Sequence, residues 1–347
     1  MKILRIIDVN FNRAREGLRV IEESVRFILE DPEIFKKIKE IRHKFSQGVI
    51  HYFPSIKLKS QRFVETDTGK DFDKKQKLNL KELIETNFFR VEESIRVLEE
   101  YSKIVNLESF PFFHNLRFEI YKIEKEVITK ISRKKIKIPC LYVILNLKED
   151  EKEFLEFAKK VIEGKPDIIQ LRYKGEDSKF FLEIAESLKK NIPDEIIYLI
   201  NDRVDICLLC DCDGVHLGKK DLYVESVRRI LPDKIIGVST ESLEDVKVVK
   251  NKDIDYIAVG SIFKSPTKKE KKPIGTGILK EIKKIISIPL IGIGGINIEN
   301  TRRVIESGAD GIAVISAIEK SDNPEKIMKK LKEEIKKGWK KRAKKII

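Results

Sequence analysis

Polar residues that suit phosphate chemistry stand at the ends of short β-branched runs in the second part of the chain. QLRYK groups Gln170, Arg172 and Lys174, LIND ends in Asn201 and Asp202, HLGKKD carries Asp221, and IGVST contains Ser239. A long polar loop, SPTKKEKKPIG, carries Ser265, Thr267 and Lys268, and two later runs end in Gly294-Gly295 and Ile315-Ser316. Two carboxylates with room for water suit Mg2+, which takes one or two carboxylates and shares its other positions with water and substrate phosphate. An arginine and two lysines beside them can neutralise the same phosphate oxygens. Glycines at a helix start offer free backbone N–H groups to a second anion. Two anion sites, one of them metal-assisted, imply two phosphorylated substrates or a diphosphate leaving group. Taken singly, each residue has a plainer reading: Asp202 can cap a helix, Ser239 can end a strand, and a loop lysine is usually just solvated. Their joint placement at successive run ends carries the argument.

The elements that would position them alternate. LYVILN, DIIQLR, IIYLIND, GVHLG, IIGVST, YIAVGSIF, PLIGIGG and GIAVISAI are strand-like and separated by helical stretches such as EKEFLEFAKKVIEG. This texture predicts an α/β unit, a (β/α)8 TIM barrel with a short fourth repeat, in which function sits where strands end. A doubly wound open sheet is the alternative, but it lacks an early glycine fingerprint.

Residues before this unit follow another rule. NFNRAREGLRVIEE at Asn10 returns as NFFRVEESIRVLEE at Asn87. In the first copy Phe11, Ala14, Leu18, Ile21, Val25 and Ile28 recur at helical spacing, and in the second Phe88, Val91, Ile95 and Leu98 do so. Opposite them lie matched charges, Arg13, Glu16, Arg19 and Glu23, then Arg90, Glu93, Arg96 and Glu100. Solvated i,i+3 and i,i+4 ion pairs account for such a face, and a binding face is the sharper alternative. Each copy is followed by a second helical stretch, which predicts an all-α bundle of two related helix pairs. Between the copies, RFVETDTGKDFDKKQK is aperiodic; its DTGKD could suit a phosphate and a metal ion but lacks the spacing of a P-loop. The expected organisation is a helical domain over 1–125, a lysine-rich linker over 126–137 and a barrel over 138–347.

Composition narrows the class. The chain has 347 residues, 41% of them apolar, which suffices for two cores. MKILRIIDVNFNR is broken by charges and reads as neither a signal peptide nor a membrane span. Four cysteines, three bunched as Cys207, Cys210 and Cys212, do not resemble a disulfide framework, so a cytoplasmic protein is expected. The net charge of +14 attracts anions, but 37% charged residues of both signs suit a salt-bridged surface rather than nucleic-acid binding.

Together, QLRYK, LINDRVD, DGVHLG, IGVST, SPTK, IGIGGI and GADGIAVISAI, in this order from Ile138 to Ile318, resemble thiamine phosphate synthase. That resemblance implies a transferase of thiamine biosynthesis. It would condense 4-amino-2-methyl-5-hydroxymethylpyrimidine diphosphate with a thiazole phosphate, or its carboxylated form, by Mg2+-assisted dissociative loss of diphosphate. It implies that Gln170, Leu171, Arg172, Tyr173, Lys174, Asn201, Ser239 and Lys268 hold the pyrimidine diphosphate. Arg172, Lys174, Ser239 and Lys268 would be catalytic, and Asp202 and Asp221 would hold Mg2+. Ser265, Pro266, Thr267, Gly295, Ile315 and Ser316 would hold the thiazole phosphate.

Departures from the family's pattern are Ser265 for threonine, Glu241 for a frequent histidine, and Lys219 for glutamine, which would add charge near the metal. His216 is read as a structural or packing residue, and the three bunched cysteines as packing residues. The helical part resembles a domain fused to some members that looks like a hydroxymethylpyrimidine phosphate kinase, which would use ATP. A non-catalytic oligomerisation or regulatory role for it, and a different phosphate-binding barrel for the rest, are the rival readings. A homo-oligomer stays open.

Overall fold

A computed structural model describes residues 2–54, 77–148, 150–265 and 272–344. The chain divides into two compact units, Met1–Ser132 and Arg133–Ile347. The first is all helical: α1 (Lys2–Ser24), α2 (Pro32–Tyr52), α3 (Leu80–Val105) and α4 (Phe110–Ser132). Because α4 runs to Ser132, residues 126–132 of the expected linker are helix. Its apolar spacing persists through Val127, which is fully buried, so the helix does not end where the lysines begin.

Asp31 starts α2 by accepting the N–H groups of Glu33 and Ile34, with Pro32 in the first turn, where its missing N–H costs nothing. Asn79 and Glu82 form a reciprocal capping box at the start of α3. Helices α1 and α3, the two copies of the repeated phrase, pack on each other with Gly17 against Val91 and the Asn87 carbonyl. A methyl group at Gly17 would stand 2.8 Å from the Val91 side chain, so glycine sets this close approach. The apolar stripes of both copies are buried, with one exception: Ile28 is 47% exposed. After Ser24 the helix widens into a π-turn over Val25–Leu29, and the extra residue per turn rotates Ile28 out of the stripe.

The repeated charges hold helix to helix. Glu22, 2% exposed, takes Arg19 at 3.0 Å and the Arg42 guanidinium from α2. Glu99, 1% exposed, takes Arg96 at 3.2 Å and Arg117 from α4 at 2.7 Å. The first glutamate of each EE pair is thus a buried clamp, while Glu23 and Glu100 accept the same arginines nearer the surface, at 2.5 and 2.8 Å. Sequence periodicity placed Arg19 and Arg96 on a wet face and overlooked Glu22 and Glu99, whose partners lie on other helices.

In the second unit, eight parallel strands close into a barrel in sequential order, β1 pairing both β2 and β8, which excludes the open sheet. The strands are β1 (Cys140–Asn146), β2 (Ile168–Arg172), β3 (Ile197–Asn201), β4 (Gly214–Leu217), β5 (Ile235–Thr240), β6 (Tyr256–Val259), β7 (Leu290–Ile293) and β8 (Gly311–Val314). The intervening and closing helices are α5 (Glu151–Glu163), α6 (Ser178–Asn191), α7 (Val204–Leu209), α8 (Val224–Ile230), α9 (Leu243–Val249), α10 (Gly277–Lys283), α11 (Ile298–Glu306), α12 (Ser316–Glu319) and α13 (Pro324–Ala343). Side chains alternate with period two between an outer core under the helices and an inner core with Tyr142, Ile168, Leu199, Ile235, Tyr256 and Ile291.

At the lower rim, each even strand is preceded by an aspartate that accepts the N–H of the odd strand before it. Asp167 takes Leu141 at 2.7 Å, Asp213 takes Tyr198 at 2.8 Å, Asp255 takes Ile236 at 2.8 Å and Asp310 takes Leu290 at 2.9 Å. Cations from the barrel unit close three of them: Lys134 on Asp213, Arg228 on Asp255, and Lys283 with Arg342 on Asp310. This rim, remote from the strand ends where function sits, holds strand order. Among the described residues no helix is long and apolar enough to cross a membrane.

Candidate functional site

The C-terminal ends of the strands surround a cavity lined by, among others, Gln170, Arg172, Asn201, Ser239 and Ile315. These arrive from β2, β3, β5 and the end of β8, so the barrel, not sequence proximity, brings them together. Arg172 donates to the Asn146 side chain at 2.9 Å, which holds the guanidinium at the rim. The alternation that turns Gln170 and Arg172 inward turns their neighbours away. Leu171 is fully buried in the outer core, and Tyr173 packs on Phe180 and Phe181, ring centroids 5.9 and 5.3 Å away. Neither side chain faces the cavity, so any contact of Leu171 and Tyr173 with a ligand is left to their backbone groups.

Asp202 and Asp221 meet. Their carboxyls are hydrogen-bonded, Lys174 reaches Asp202 at 2.6 Å, and Gly218 N–H donates to Asp221 at 2.6 Å. Asp202 adopts a left-handed backbone, φ 64°, with its N–H on the His216 carbonyl at 2.9 Å; the strain is of the kind that persists where a side chain must be aimed. Burial alone would raise the Asp202 pKa, but the Asp221 carboxyl and the Lys174 ammonium hold it below the usual carboxylate range. Burial, reinforced by the hydrogen bond with Asp202, pushes Asp221 upward. Two carboxylates this close need a proton or a cation between them. The pair with its adjoining lysine therefore fits a divalent ion that would replace the shared proton.

Behind the cavity runs a buried hydrogen-bond chain. Gln170 donates to Asn201 Oδ1 at 2.5 Å and accepts from the Tyr142 hydroxyl. Tyr142 and Tyr256 hydroxyls are 2.9 Å apart, His216 Nδ1 is 2.8 Å from Tyr256 Oη, and His216 Nε2 is 2.8 Å from Ser239 Oγ. Gly237 makes room for it: a methyl group there would lie 2.0 Å from the Tyr256 ring. His216 is thus bonded at both ring nitrogens, as a structural residue would be. Tyr142, Tyr256 and Asn146 escaped sequence reading, since an inward tyrosine looks like core; the signal available was Gly237 in the middle of β5, directly paired with Tyr256.

On the opposite side, Gly294 and Gly295 have φ of 96° and 64°, and a methyl group at Gly295 would meet the Lys264 carbonyl at 2.4 Å. The helix following β7 is already capped, Asn297 accepting the N–H groups of Glu299 and Asn300. The helix following β8 starts at Ile315 and Ser316 with no side-chain cap, leaving its first N–H groups to be met otherwise. Ser265 is 7% exposed at the end of the described part of its loop. Pro266, Thr267 and Lys268, like DTGKD of the first unit, lie outside the described residues.

Lys219 is paired with carboxylates that follow β5. It binds Asp245 at 2.5 Å and approaches Glu241 to 3.7 Å, so two of the three departures from the resembled pattern face each other. Cys207, Cys210 and Cys212 are buried in the outer core, with Sγ atoms of Cys207 and Cys212 2.9 Å apart.

Residues 141–318 match the family model for thiamine monophosphate synthase, and residues 5–126 match that of the ThiD2 family. A thiamine-phosphate synthase of Synechocystis is 34% identical over 327 residues, 93% of each chain. One of Prochlorococcus marinus subsp. pastoris is 35% identical over 333 residues, again 93% of each chain. The likeness to these relatives thus spans both units. Among solved structures, a thiamine phosphate pyrophosphorylase from Pyrococcus furiosus superposes with a TM-score of 0.53 and 34% identity, covering 58% of this chain and 96% of that one.

Proposed function

The chain belongs to the thiamine monophosphate synthase family, and we propose that the cavity at the barrel mouth is where it joins its two substrates. The reaction condenses 4-amino-2-methyl-5-hydroxymethylpyrimidine diphosphate with 4-methyl-5-(2-phosphoethyl)thiazole, giving thiamine phosphate and diphosphate. The observation that carries the placement is the convergence of Gln170, Arg172, Asn201 and Ser239 on one cavity, with the Asp202–Asp221 pair at the end of β3.

The methylene C–O bond breaks first, its electron pair leaving with the diphosphate, and the exocyclic amine of the pyrimidine delocalises the resulting cation. The lone pair of the thiazole nitrogen then forms the new C–N bond. No proton leaves the nucleophile, so no general base is required of the site. Arg172 and Lys174 supply fixed positive charge toward the departing oxygens, and Lys268 is assigned the same task by its motif. Asp202 and Asp221 would hold Mg2+, which when bound would neutralise charge building on the leaving group. Gly295, Ile315 and Ser316, with Ser265 and Thr267, are assigned the thiazole phosphate, whose anchoring would bring the two rings face to face. Incubating the protein with both substrates and Mg2+ and following thiamine phosphate by chromatography tests the reading.

For the helical unit we propose the supply of this pyrimidine diphosphate, by transfer of phosphate from ATP to the monophosphate. Its ThiD2 match supports the reading, and an open groove of about 690 Å³ lined by Lys36, Lys39, His43, Lys44, Tyr52 and Phe112 offers charge and aromatic surface. Pyrimidine monophosphate with ATP should then replace the diphosphate in the same assay, and should fail to do so once residues 1–125 are removed. The four cysteines are all unpaired and buried, which suits work in the cytoplasm.

A further inference from the structure

The shape of the pyrimidine decides which end of the ring goes deepest. In a six-membered ring the 2-methyl group and the 5-methylene carbon stand para to each other. The 5-methylene carries the diphosphate, and the groups assigned to that diphosphate and its metal ion stand at the mouth. Arg172 ends β2, while Lys174, Asp202 and Asp221 follow β2, β3 and β4. A ring held at the mouth by its diphosphate therefore points its 2-methyl group down the barrel axis.

The cavity at that depth suits a small apolar group. One half of its wall is polar, with Gln170, Asn201 and Ser239 from β2, β3 and β5; the other half, with Ala258, Ile293 and Ala313 from β6, β7 and β8, is apolar. Ala258 and Ala313 line this cavity and are each only 2% exposed, so both lie deep in it. Ala313 is two residues below Ile315 on the same strand, about 7 Å further down, and in register with the buried Tyr142 of β1. Ala258 is in register with Ser239 of β5 and with Ile291 of β7. Bulky side chains dominate a barrel interior, and Ile168, Leu199, Ile235, Tyr256 and Ile291 follow that rule here. The two alanines break it where the cavity is deepest.

We infer that Ala258 and Ala313 are specificity-determining residues, which size the floor of the cavity to a methyl group at position 2 of the pyrimidine. This deepens the proposed reaction and rests on it. A hydrogen at position 2 would leave the floor underfilled and forfeit its contacts. A longer group would press on alanine methyls that a close-packed core does not let retreat.

Ala258→Val and Ala313→Val fill the space from the protein's side. The readout is kcat/KM for pyrimidine diphosphates carrying hydrogen, methyl or ethyl at position 2, with thiazole phosphate and Mg2+ held constant. In each valine variant the preference for methyl over hydrogen should fall about tenfold or more, the 2-hydrogen substrate keeping most of its rate. Intrinsic differences in reactivity between the substrates are common to every variant and cancel from this comparison. General damage to packing would slow both substrates together and leave the preference unmoved. An unmoved preference in a folded, active valine variant overturns the assignment of that alanine. Should a valine variant fail to fold or turn over none of the three, Ala258→Gly or Ala313→Gly reads the same space by enlarging it. The preference for ethyl over methyl should then rise about tenfold, and its constancy overturns the assignment. Absence of thiamine phosphate formation by the unaltered protein would instead overturn the reaction on which the inference rests.

Discussion

The helical unit and the barrel are about equally rich in carboxylates, yet they use them in opposite ways. In the helical unit the repeated Arg19–Glu22 and Arg96–Glu99 pairs are closed on each other and on Arg42 and Arg117 from neighbouring helices. In the barrel, Arg172 lines the cavity at the strand ends, while Lys174, Asp202 and Asp221, which follow β2, β3 and β4, bind one another, with Lys174 57% exposed. Repetition of a charge pattern therefore reported helix packing, whereas convergence of unlike residues reported chemistry. The barrel makes a similar division within itself, since each aspartate of its lower rim accepts a strand N–H, whereas Asp202 and Asp221 of its upper rim also bind each other.

The contrast can be broken most directly at the upper rim. Asp202→Ala should slow thiamine phosphate formation roughly a thousandfold, about 4 kcal/mol at the chemical step, while leaving the melting temperature near that of the parent. Steady-state rates beside a thermal melt check both halves, and a rate close to the parent's would remove this carboxylate from the site. Glu99→Ala should do the converse. It strands Arg117 beside a buried gap and costs about 3 kcal/mol in the helical unit, read from denaturant unfolding, with turnover from ready-made substrates unchanged. At the lower rim, Asp255→Ala leaves the Ile236 N–H without its acceptor and Arg228 without its 2.7 Å carboxylate partner. We expect a loss of about 1–3 kcal/mol in barrel stability and no change in KM; a change confined to KM would contradict the division between rims.

The smallest effect depends on pH. Burial, then contact with Glu124, raises the Glu92 carboxyl from 4.5 to about 8. A folded pKa above the unfolded one means that this group's contribution is full below about pH 4.5 and is lost as pH rises toward 8. Glu92→Gln should therefore melt higher than the parent at pH 8–9, and the gap should narrow as the pH falls toward 4.5. A gap that does not vary with pH would show that the two carboxyls do not share a proton.

Much of this was legible in the chain. All eight strands were readable because burial on both faces leaves a short β-branched run bounded by turn residues, and both helix pairs because their apolar stripes keep a 3.6-residue spacing. Two expectations fell to helix geometry. Ile28 follows the stripe in sequence but not in space, because a π-turn breaks the period, and residues 126–132 look like a basic linker but continue a helix that the fully buried Val127 holds to the core. Strand alternation turns the side chains of Leu171 and Tyr173, grouped with the site by their motif, toward the outer core.

Element type, element order and the identity of the charged residues are local properties, set by spacing and side-chain chemistry, and the amino-acid order alone carried them. Partners were another matter. That Glu22 meets Arg42, that Lys219 turns to Asp245, and that a tyrosine, a histidine and a serine from three strands form one hydrogen-bond chain are facts of distance between elements remote in sequence. Closure of the barrel and packing of the helices decide those distances, because a hydrogen bond a few tenths of an ångström too long, or pointed the wrong way, is no longer one.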